Sequence, residues 1–222
     1  MLTALASEAR SATPLAERGW RVQLCGMGPD NARRAAQQLL DAGIRRLLVW
    51  GIAGGLDATT KPGDLFIPRS VVNAADRQRF PVTESWHAQL AASVVVPGTE
   101  VISRGALLTV AEIVETSAAK QALASDYGAL MVDMEAAAVA EVALRASAEF
   151  AVVRALADAA DVRLPPSVLS ALITQHPHRS LMKELLKRPQ DLPAVLHLGR
   201  SFQHAHRSLT AAALAIAGSR AP

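Results

Sequence analysis

Two carboxylates stand where a predicted strand runs directly into a predicted helix. Residues 130–141 read LMVDMEAAAVAE: the apolar residues before Asp133 favour the end of a buried strand, and the alanines after Glu135 favour a closely packed helix. Helix N-termini favour negative charge, and open α/β sheets bind ligands at strand ends. Ligand binding is one interpretation; the other is that Asp133 caps the helix and Glu135 serves its first turn.

Two further acids have the same placement. Glu8 follows the apolar run 2–6, and Asp158 directly follows FAVVRALA, an apolar segment except for Arg154. If Glu8, Glu135 and Asp158 converge on one sheet edge, they form a site. Carboxyl groups held in different protonation states can act as general acid and general base.

Strands and helices alternate along the chain. Apolar runs predict strands over 2–6, 22–24, 47–50, 65–67, 71–75, 105–111, 130–133 and 150–157. Helical periodicity and breaking residues predict helices over 30–42, 86–93, 117–125, after 133, from 165 and over 192–217. This alternation is typical of a three-layer α/β fold. The length of 222 residues predicts a single domain, 1–222, with a basic helical extension from about 165.

The segment 51–57, GIAGGLD, is rich in glycine. Its G-x-x-G-G spacing differs from the G-x-G-x-x-G fingerprint of dinucleotide-binding loops. A backbone cradle for a sugar or small anion is one interpretation, and a plain tight turn between strands is the favoured one. Residues 76–85 are polar with Phe80 and Pro81 embedded, which predicts a loop at a pocket edge.

Composition excludes several classes of protein. A net charge of +3 and an aromatic content of 4% give little support for nucleic-acid binding. The single cysteine, Cys25, rules out an internal disulfide and a cysteine-rich metal site. Five histidines lie in the last quarter without a compact metal pattern, so no metal site is expected: His176, His178, His197, His204 and His206. Glu8 and Arg10 interrupt the stretch that a signal peptide needs to be apolar, so we expect a cytoplasmic protein.

Four motifs in order resemble the nucleoside phosphorylase and nucleosidase superfamily, which includes methylthioadenosine/S-adenosylhomocysteine nucleosidase. VDMEAAAVAEV is similar to that family's VEMEA signature, WGIAGGLDATTKPGDL to its GSAGGL and GD turn, FAVVRALADAAD to its VVRAISDVAD strand, and ALASEA to its opening AMEEEV. The similarity covers about residues 2–161. It implies a three-layer α/β/α phosphorylase/hydrolase-like fold with a central mixed sheet, and purine nucleoside cleavage.

The tail suggests a narrower resemblance. DVRLPPSVL and LLKRPQDLPAVLHLGR resemble the hopanoid-associated branch of this superfamily, thought to remove adenine from adenosylhopane. The Asp133 variant of the signature and Ile52 in the glycine-rich segment fit that branch. The alternatives are a methylthioadenosine/S-adenosylhomocysteine nucleosidase, a purine nucleoside phosphorylase, and a relative that only binds nucleosides.

The resemblance implies a role for each matching position. Glu8 would activate the attacking water and Asp158 would protonate purine N7. Glu135 would hold the ribose hydroxyls, with Met134 against the sugar. The remaining substrate-binding positions implied are Met27, Ala53, Gly54, Ile113, Val114 and Arg154. The family's base-stacking aromatic falls at Ile113, where an aliphatic face would pack on adenine instead.

The chemistry requires the two catalytic carboxyls to differ. Burial behind FAVVRALA should raise the pKa of Asp158 so that it stays protonated, while a more solvated Glu8 stays ionised. Against this stands the reading that Asp158 caps its loop and pairs with Arg154.

Water is the favoured nucleophile over phosphate. The phosphorylases' hydroxyl donor to phosphate matches Ile52, whose side chain donates nothing, and only Arg33 or Arg104 could substitute for their phosphate-site arginines. No cofactor is implied, although phosphate would be the co-substrate of a phosphorylase.

A hopanoid would place its hydrocarbon at the ribose 5′ position. Met27 together with Phe80, Pro81, Val82 and Trp86 are candidates for that wall. The last quarter of the chain is rich in basic residues: Arg179, Lys183, Lys187, Arg188, Arg200 and Arg207. These residues could attract the protein to anionic lipid. The alternative, to which we give equal weight, is that they form a solvated helical face. The resemblance also implies a homodimer.

Overall fold

The computed structural model describes residues 1–172 and 177–219. Its strands are β1 Leu2–Thr3, β2 Gln23–Leu24, β3 Arg46–Gly55, β4 Leu65–Phe66, β5 Ser70–Asn73, β6 Arg79–Pro81, β7 Val101–Ile102, β8 Ala106–Thr109, β9 Ala129–Asp133 and β10 Glu149–Asp158. Its helices are α1 Ala6–Ser11, α2 Thr13–Ala16, α3 Pro29–Asp41, α4 Glu84–Ser93, α5 Ser117–Tyr127, α6 Ala136–Arg145, α7 Pro166–Leu172, α8 Pro177–Lys187 and α9 Leu192–Gly218, with a 3₁₀ turn at Pro189–Asp191. His176 lies outside the described residues, as do the side chains of His178 and Arg179.

The strands form one mixed sheet, in the order β6-β5-β8-β9-β3-β10-β4-β7, with β1 joining β2 to β3. The central pair, β3 and β10, is parallel, whereas β9 runs antiparallel to β3. The predicted α/β fold with a central mixed sheet is therefore confirmed.

Apolar clusters cover both faces of the sheet. On one face α3 and α6 bury residues such as Leu39 and Val139 against the strands. On the other face Leu15 of α2 and Leu209 of α9 pack with Trp50. These layers hold the strand ends in fixed positions, since buried side chains interlock at the density of organic crystals.

The last helix belongs to this packing. Along α9, Ala205, Leu209, Ala212 and Ala213 are fully buried against the second cluster. This is the helix predicted over 192–217. No helix among the described residues combines the length and the apolar character that crossing a bilayer requires.

Three local predictions were wrong. Segment 51–57 is not the tight turn that was favoured, because β3 continues through the glycines to Gly55. Segment 76–85 contains strand β6 and buries Phe80 to 3% exposure. The opening strand ends at Thr3, so Glu8 lies in helix α1 instead of at a strand end.

Candidate active site

The ends of β9 and β10 meet beside the glycine-rich half of β3. In the register of the sheet, Val132 of β9 and Asp158 of β10 both pair with Gly54. The register of β10 shifts between Leu156 and Asp158, and such bulges re-aim the next side chain. Strand β10 is parallel to β3 and β9 is antiparallel to it, and the C-terminal ends of both strands lie beside Gly54 of β3. Asp133 at the end of β9 and Asp158 at the end of β10 are therefore brought to the same part of the sheet.

One cavity opens at this junction. It is lined by Ala4, Leu5, Glu8, Met27, Ile52, Ala53, Gly54, Val110, Glu112, Ile113, Val114, Lys120, Val132, Asp133, Met134, Glu135, Ala157, Asp158, Leu164 and Phe202. All the predicted site residues are among them except Arg154, which is 1% exposed and lies behind the wall, bonded to Asp133 and Glu135. Sequence positions far apart in the chain thus share one cavity.

Glu8 is held by backbone donors. Its Oε2 accepts N–H bonds from Ala4 at 2.8 Å and Leu5 at 2.9 Å, and its Oε1 accepts from Ile52 N–H at 2.9 Å. Gly51 permits this approach, since a Cβ there would lie 2.3 Å from Glu8 Oε1.

The predicted solvation of Glu8 was wrong, because its exposure is only 1%. Burial raises the pKa of this carboxyl, while the Arg154 charge and the three N–H donors oppose the rise. The ionised form of Glu8 is therefore favoured by three backbone N–H groups and by the charge of Arg154, and not by contact with solvent as predicted.

Asp158 pairs with a lysine that sequence reasoning missed. Lys120 Nζ of α5 lies 2.5 Å from Asp158 Oδ2, and both side chains are buried. The alternative pairing of Asp158 with Arg154 was wrong. Burial raises the pKa of Asp158, as predicted, and the Lys120 ammonium opposes that rise. The signal available in the sequence was a single cation in the otherwise uncharged helical stretch SAAKQALAS.

Asp133 and Glu135 divide the two roles that were considered for them. Asp133 accepts the Ala136 N–H at 3.1 Å and so caps α6, and it also pairs with Arg154. Glu135 is the N-cap residue of α6, but its side chain makes no capping hydrogen bond: its Oε1 accepts the Gly28 N–H at 3.0 Å and its Oε2 accepts from Arg154 at 3.1 Å. Glu135 therefore remains available at the cavity wall.

Glu135 sits close to the boundary between its two charge states. Burial raises its pKa to about 7; Arg154 opposes the rise and the Asp133 carboxylate adds to it. In the ionised form each carboxylate oxygen has about two lone pairs, so each oxygen of Glu135 can then accept one more hydrogen bond. It can therefore bind two hydroxyls of a ligand.

Apart from Glu112 and the charged residues already described, the wall is apolar. Ile113, Val114 and Met134 line it as predicted, and Leu164 and Phe202 join them from the C-terminal part of the chain. Phe202 is the aromatic that sequence reasoning missed. Its spacing of three and seven residues from the buried Ala205 and Leu209 is the helical period that could have indicated its inward face.

Several candidate residues lie elsewhere. Phe80 and Val82 pack in the apolar cluster beneath α3 and α6, and Trp86 packs in the cluster around Trp50 on the other face of the sheet. Pro81 is exposed, and none of these four residues lines the cavity. Among the residues predicted to form the wall for the 5′ hydrocarbon, only Met27 lines the cavity.

The two candidate phosphate ligands also lie elsewhere. Arg33 pairs with Asp30 and Glu141, and Arg104 is exposed; neither lines the cavity. Within the described ranges 1–172 and 177–219, no arginine lines the cavity.

Solved structures share the fold. Futalosine hydrolase of Helicobacter pylori is 18% identical with a TM-score of 0.66, covering 95% of this chain and 94% of that one. The 5′-methylthioadenosine/S-adenosylhomocysteine nucleosidase of the same organism has the same identity and TM-score over 96% and 92%. The corresponding nucleosidase of Colwellia psychrerythraea, solved in complex with adenine, is 15% identical with a TM-score of 0.69 over 98% and 93%.

Sequence comparison identifies the family. No curated protein matches the chain by sequence. The family model described as the phosphorylase superfamily matches residues 15–174, which include most of the sheet and, apart from Ala4, Leu5, Glu8 and Phe202, the whole cavity wall. The chain therefore belongs to the phosphorylase superfamily.

Proposed function

We propose that this protein hydrolyses the N-glycosidic bond of a 5′-substituted purine nucleoside. The observation that carries the proposal is one cavity lined by Glu8, Glu135 and Asp158, each held by different donors. Three carboxyl groups with different hydrogen-bond partners serve the three requirements of the reaction: a base for water, an anchor for the sugar hydroxyls and an acid for the leaving purine.

The proposed mechanism assigns one step to each group. Cleavage passes through an oxocarbenium-like sugar, so the departing base must be neutralised while a nucleophile arrives on the opposite face. Asp158, with its raised pKa, gives a proton to the purine. Glu8, fixed by three backbone N–H groups, takes a proton from the attacking water. Glu135 holds the ribose hydroxyls.

Water is the proposed nucleophile. Ile52 contributes only its backbone N–H, and that N–H is already bonded to Glu8. Neither Arg33 nor Arg104 stands in the cavity wall to neutralise phosphate. A retained Glu8 also suits water, because phosphate is already an anion and needs no base.

We propose adenine as the leaving base and adenosylhopane as the substrate. The structures of similar fold include a nucleosidase with adenine bound and others named for methylthioadenosine and S-adenosylhomocysteine. The hopanoid assignment is supported by the resemblance of the segments around Pro165 and Pro189. Leu5, Leu164 and Phe202 supply apolar surface within the cavity.

Base release from a panel of nucleosides tests the proposal. The panel contains adenosylhopane, methylthioadenosine, S-adenosylhomocysteine and futalosine, each with and without phosphate. We expect adenine from adenosylhopane at the highest kcat/KM and no effect of phosphate. Faster cleavage of a soluble nucleoside would reassign the substrate, and a phosphate requirement would make the protein a phosphorylase. Binding of adenine without turnover of any nucleoside would contradict enzymatic function.

A lipid-linked substrate leads us to propose contact with a membrane surface from the cytoplasmic side. Met182 and Leu186 of α8 are 62% and 82% exposed, and Lys183 and Lys187 are exposed beside them in sequence. Apolar residues flanked by lysines bind anionic bilayers through both area and charge. No salt-bridge partner of Lys183 is among the described contacts, so its charge is available.

Co-sedimentation with anionic vesicles tests the membrane contact. We expect salt-sensitive binding that Lys183→Glu weakens several-fold, since one basic residue near such a surface contributes about 1 kcal/mol. Arg18→Glu, at an exposed position of the N-terminal part, is the matched control. Equal binding by both variants, or none by the parent, would exclude the contact. Sedimentation equilibrium of the same preparations tests the homodimer that we also propose.

A further inference from the structure

Lys120 is a buried cation that touches the proposed acid. It is 1% exposed, and its Nζ donates to Asp158 Oδ2 at 2.5 Å, to Ala159 O at 2.8 Å and to Val162 O at 3.0 Å. An ammonium group has three N–H donors, so every donor of Lys120 has a protein acceptor. The three acceptors satisfy the hydrogen-bonding capacity of this buried ammonium group, which would cost several kcal/mol to bury without partners.

The pairing makes the two oxygens of Asp158 different. Oδ2 accepts from Lys120, whereas no hydrogen bond to Oδ1 occurs within the described part of the chain. Asp158 lines the cavity, and Lys120 also holds the carbonyls of the two loop residues that follow at positions 159 and 162. Lys120 therefore fixes both the carboxyl group and the loop behind it, leaving one oxygen for a ligand.

We infer that Lys120 is a positioning residue which orients Asp158 Oδ1 toward the leaving purine and sets the strength of Asp158 as an acid. This inference rests on the proposed function. It adds a determinant of acid strength that is separate from burial. Lys120 itself has no free N–H to donate to the purine, because all three of its donors have protein acceptors.

The proton transfer explains why a cation is useful there. The proton moves from Oδ1 of Asp158 to a purine nitrogen, the C1′–N bond breaks, and its electron pair stays on the base. Asp158 is left as an anion beside the Lys120 ammonium, which stabilises it. Without this cation burial alone would make Asp158 a weaker acid, because a buried carboxylate is poorly solvated.

Few charged groups lie near Asp158, so the effect of Lys120 on its pKa can be measured separately. Lys120 is the charged group that opposes the effect of burial on it. The other acids of the cavity wall are Glu8, Glu112, Asp133 and Glu135. Arg154 pairs with Asp133 and Glu135 and not with Asp158.

The pH profile of kcat/KM in Lys120→Gln tests the inference. Glutamine keeps hydrogen-bond donors for the loop carbonyls and removes the charge. Loss of an adjacent opposite charge should raise the pKa of Asp158, so one limb of the profile should move up by roughly one to three pH units. We also expect a fall in kcat of about 10-fold or more, because a weaker acid protonates the base less readily.

Lys120→Arg is the matched control, since it keeps the charge and should keep both limbs within a few tenths of a pH unit. A merely structural role predicts that Lys120→Gln lowers activity equally at every pH. Unchanged midpoints in Lys120→Gln would therefore overturn the inference.

A second measurement uses the parent protein and needs no activity. The chain has four lysines, Lys61, Lys120, Lys183 and Lys187, so lysine labelled with ¹³C at Cε gives a short spectrum. Lys120→Arg identifies the Lys120 signal by its loss. We expect that signal to shift with pH as Asp158 titrates, and the shift to disappear in Asp158→Asn.

A Lys120 signal that does not respond to Asp158 would overturn the inference even if Lys120→Gln does not fold. The same spectrum separates this failure from a failure of the proposed function. If no nucleoside is cleaved, the pairing is still measured.

Discussion

Asp158→Asn should lower the rate of purine release by roughly 10²- to 10⁴-fold, the usual contribution of a general acid. Asparagine keeps the size of the side chain and can still accept from Lys120, but it has no acidic proton to give. Because the leaving purine would depart as an anion, the loss should appear mainly in kcat.

The matched control for this prediction is Asp161→Asn. Asp161 is exposed in the loop that follows β10, three residues after Asp158, so its replacement should leave the rate unchanged. Circular dichroism and the thermal midpoint should confirm that Asp158→Asn is folded. Purine release by the folded variant at the parent rate would remove Asp158 from the mechanism.

Arg154→Met should destabilise the fold by about 3–5 kcal/mol, the cost of leaving buried charges without their partner. Arg154 is 1% exposed and pairs with both Asp133 and Glu135, and its charge also acts on Glu8. Methionine fills much of the volume but leaves these carboxylates uncompensated. Urea unfolding followed by circular dichroism measures the loss.

Arg33→Met provides the comparison. Arg33 also contacts two acids, Asp30 and Glu141, but on the surface, where such pairs are worth about 0–1 kcal/mol. If Arg154→Met does not fold, Arg154→Lys should fold with an intermediate midpoint, since lysine restores the charge without the forked geometry. Equal stability of Arg154→Met and the parent would contradict the role given to this network.

The alternation of apolar runs was sufficient to predict most strands of the sheet and the position of α6, but it missed β6 and β7. It could not predict that β3 continues through Gly51, Gly54 and Gly55, because glycine is a turn signal wherever its neighbours in space are unknown. In the structure Glu8 occupies the space that a side chain at Gly51 would need, and a Cβ at Gly54 would lie 3.3 Å from Val132, a tight contact. The glycines are thus explained by contacts with residues far away in the sequence.

The site shows the same limit. Glu8, Glu135 and Asp158 were identified from their types and their matching motifs, but the cations that hold them were not paired correctly. Arg154 was assigned to the substrate and lies behind the wall, while Lys120 was overlooked on a helix of small residues. Which acid a buried cation contacts depends on the register of β10 and the docking of α5, and neither is encoded in local spacing.

The central claim is that Glu8 and Asp158 act on one bound purine nucleoside. A crystal structure of Glu8→Gln soaked with an uncleaved nucleoside tests it most directly, because this variant should bind the substrate without activating water. The account predicts a purine nitrogen within about 3.2 Å of Asp158 Oδ1, the ribose hydroxyls on Glu135, and the anomeric carbon facing residue 8. A nucleoside bound elsewhere, or bound here with its base turned away from Asp158, would contradict the account.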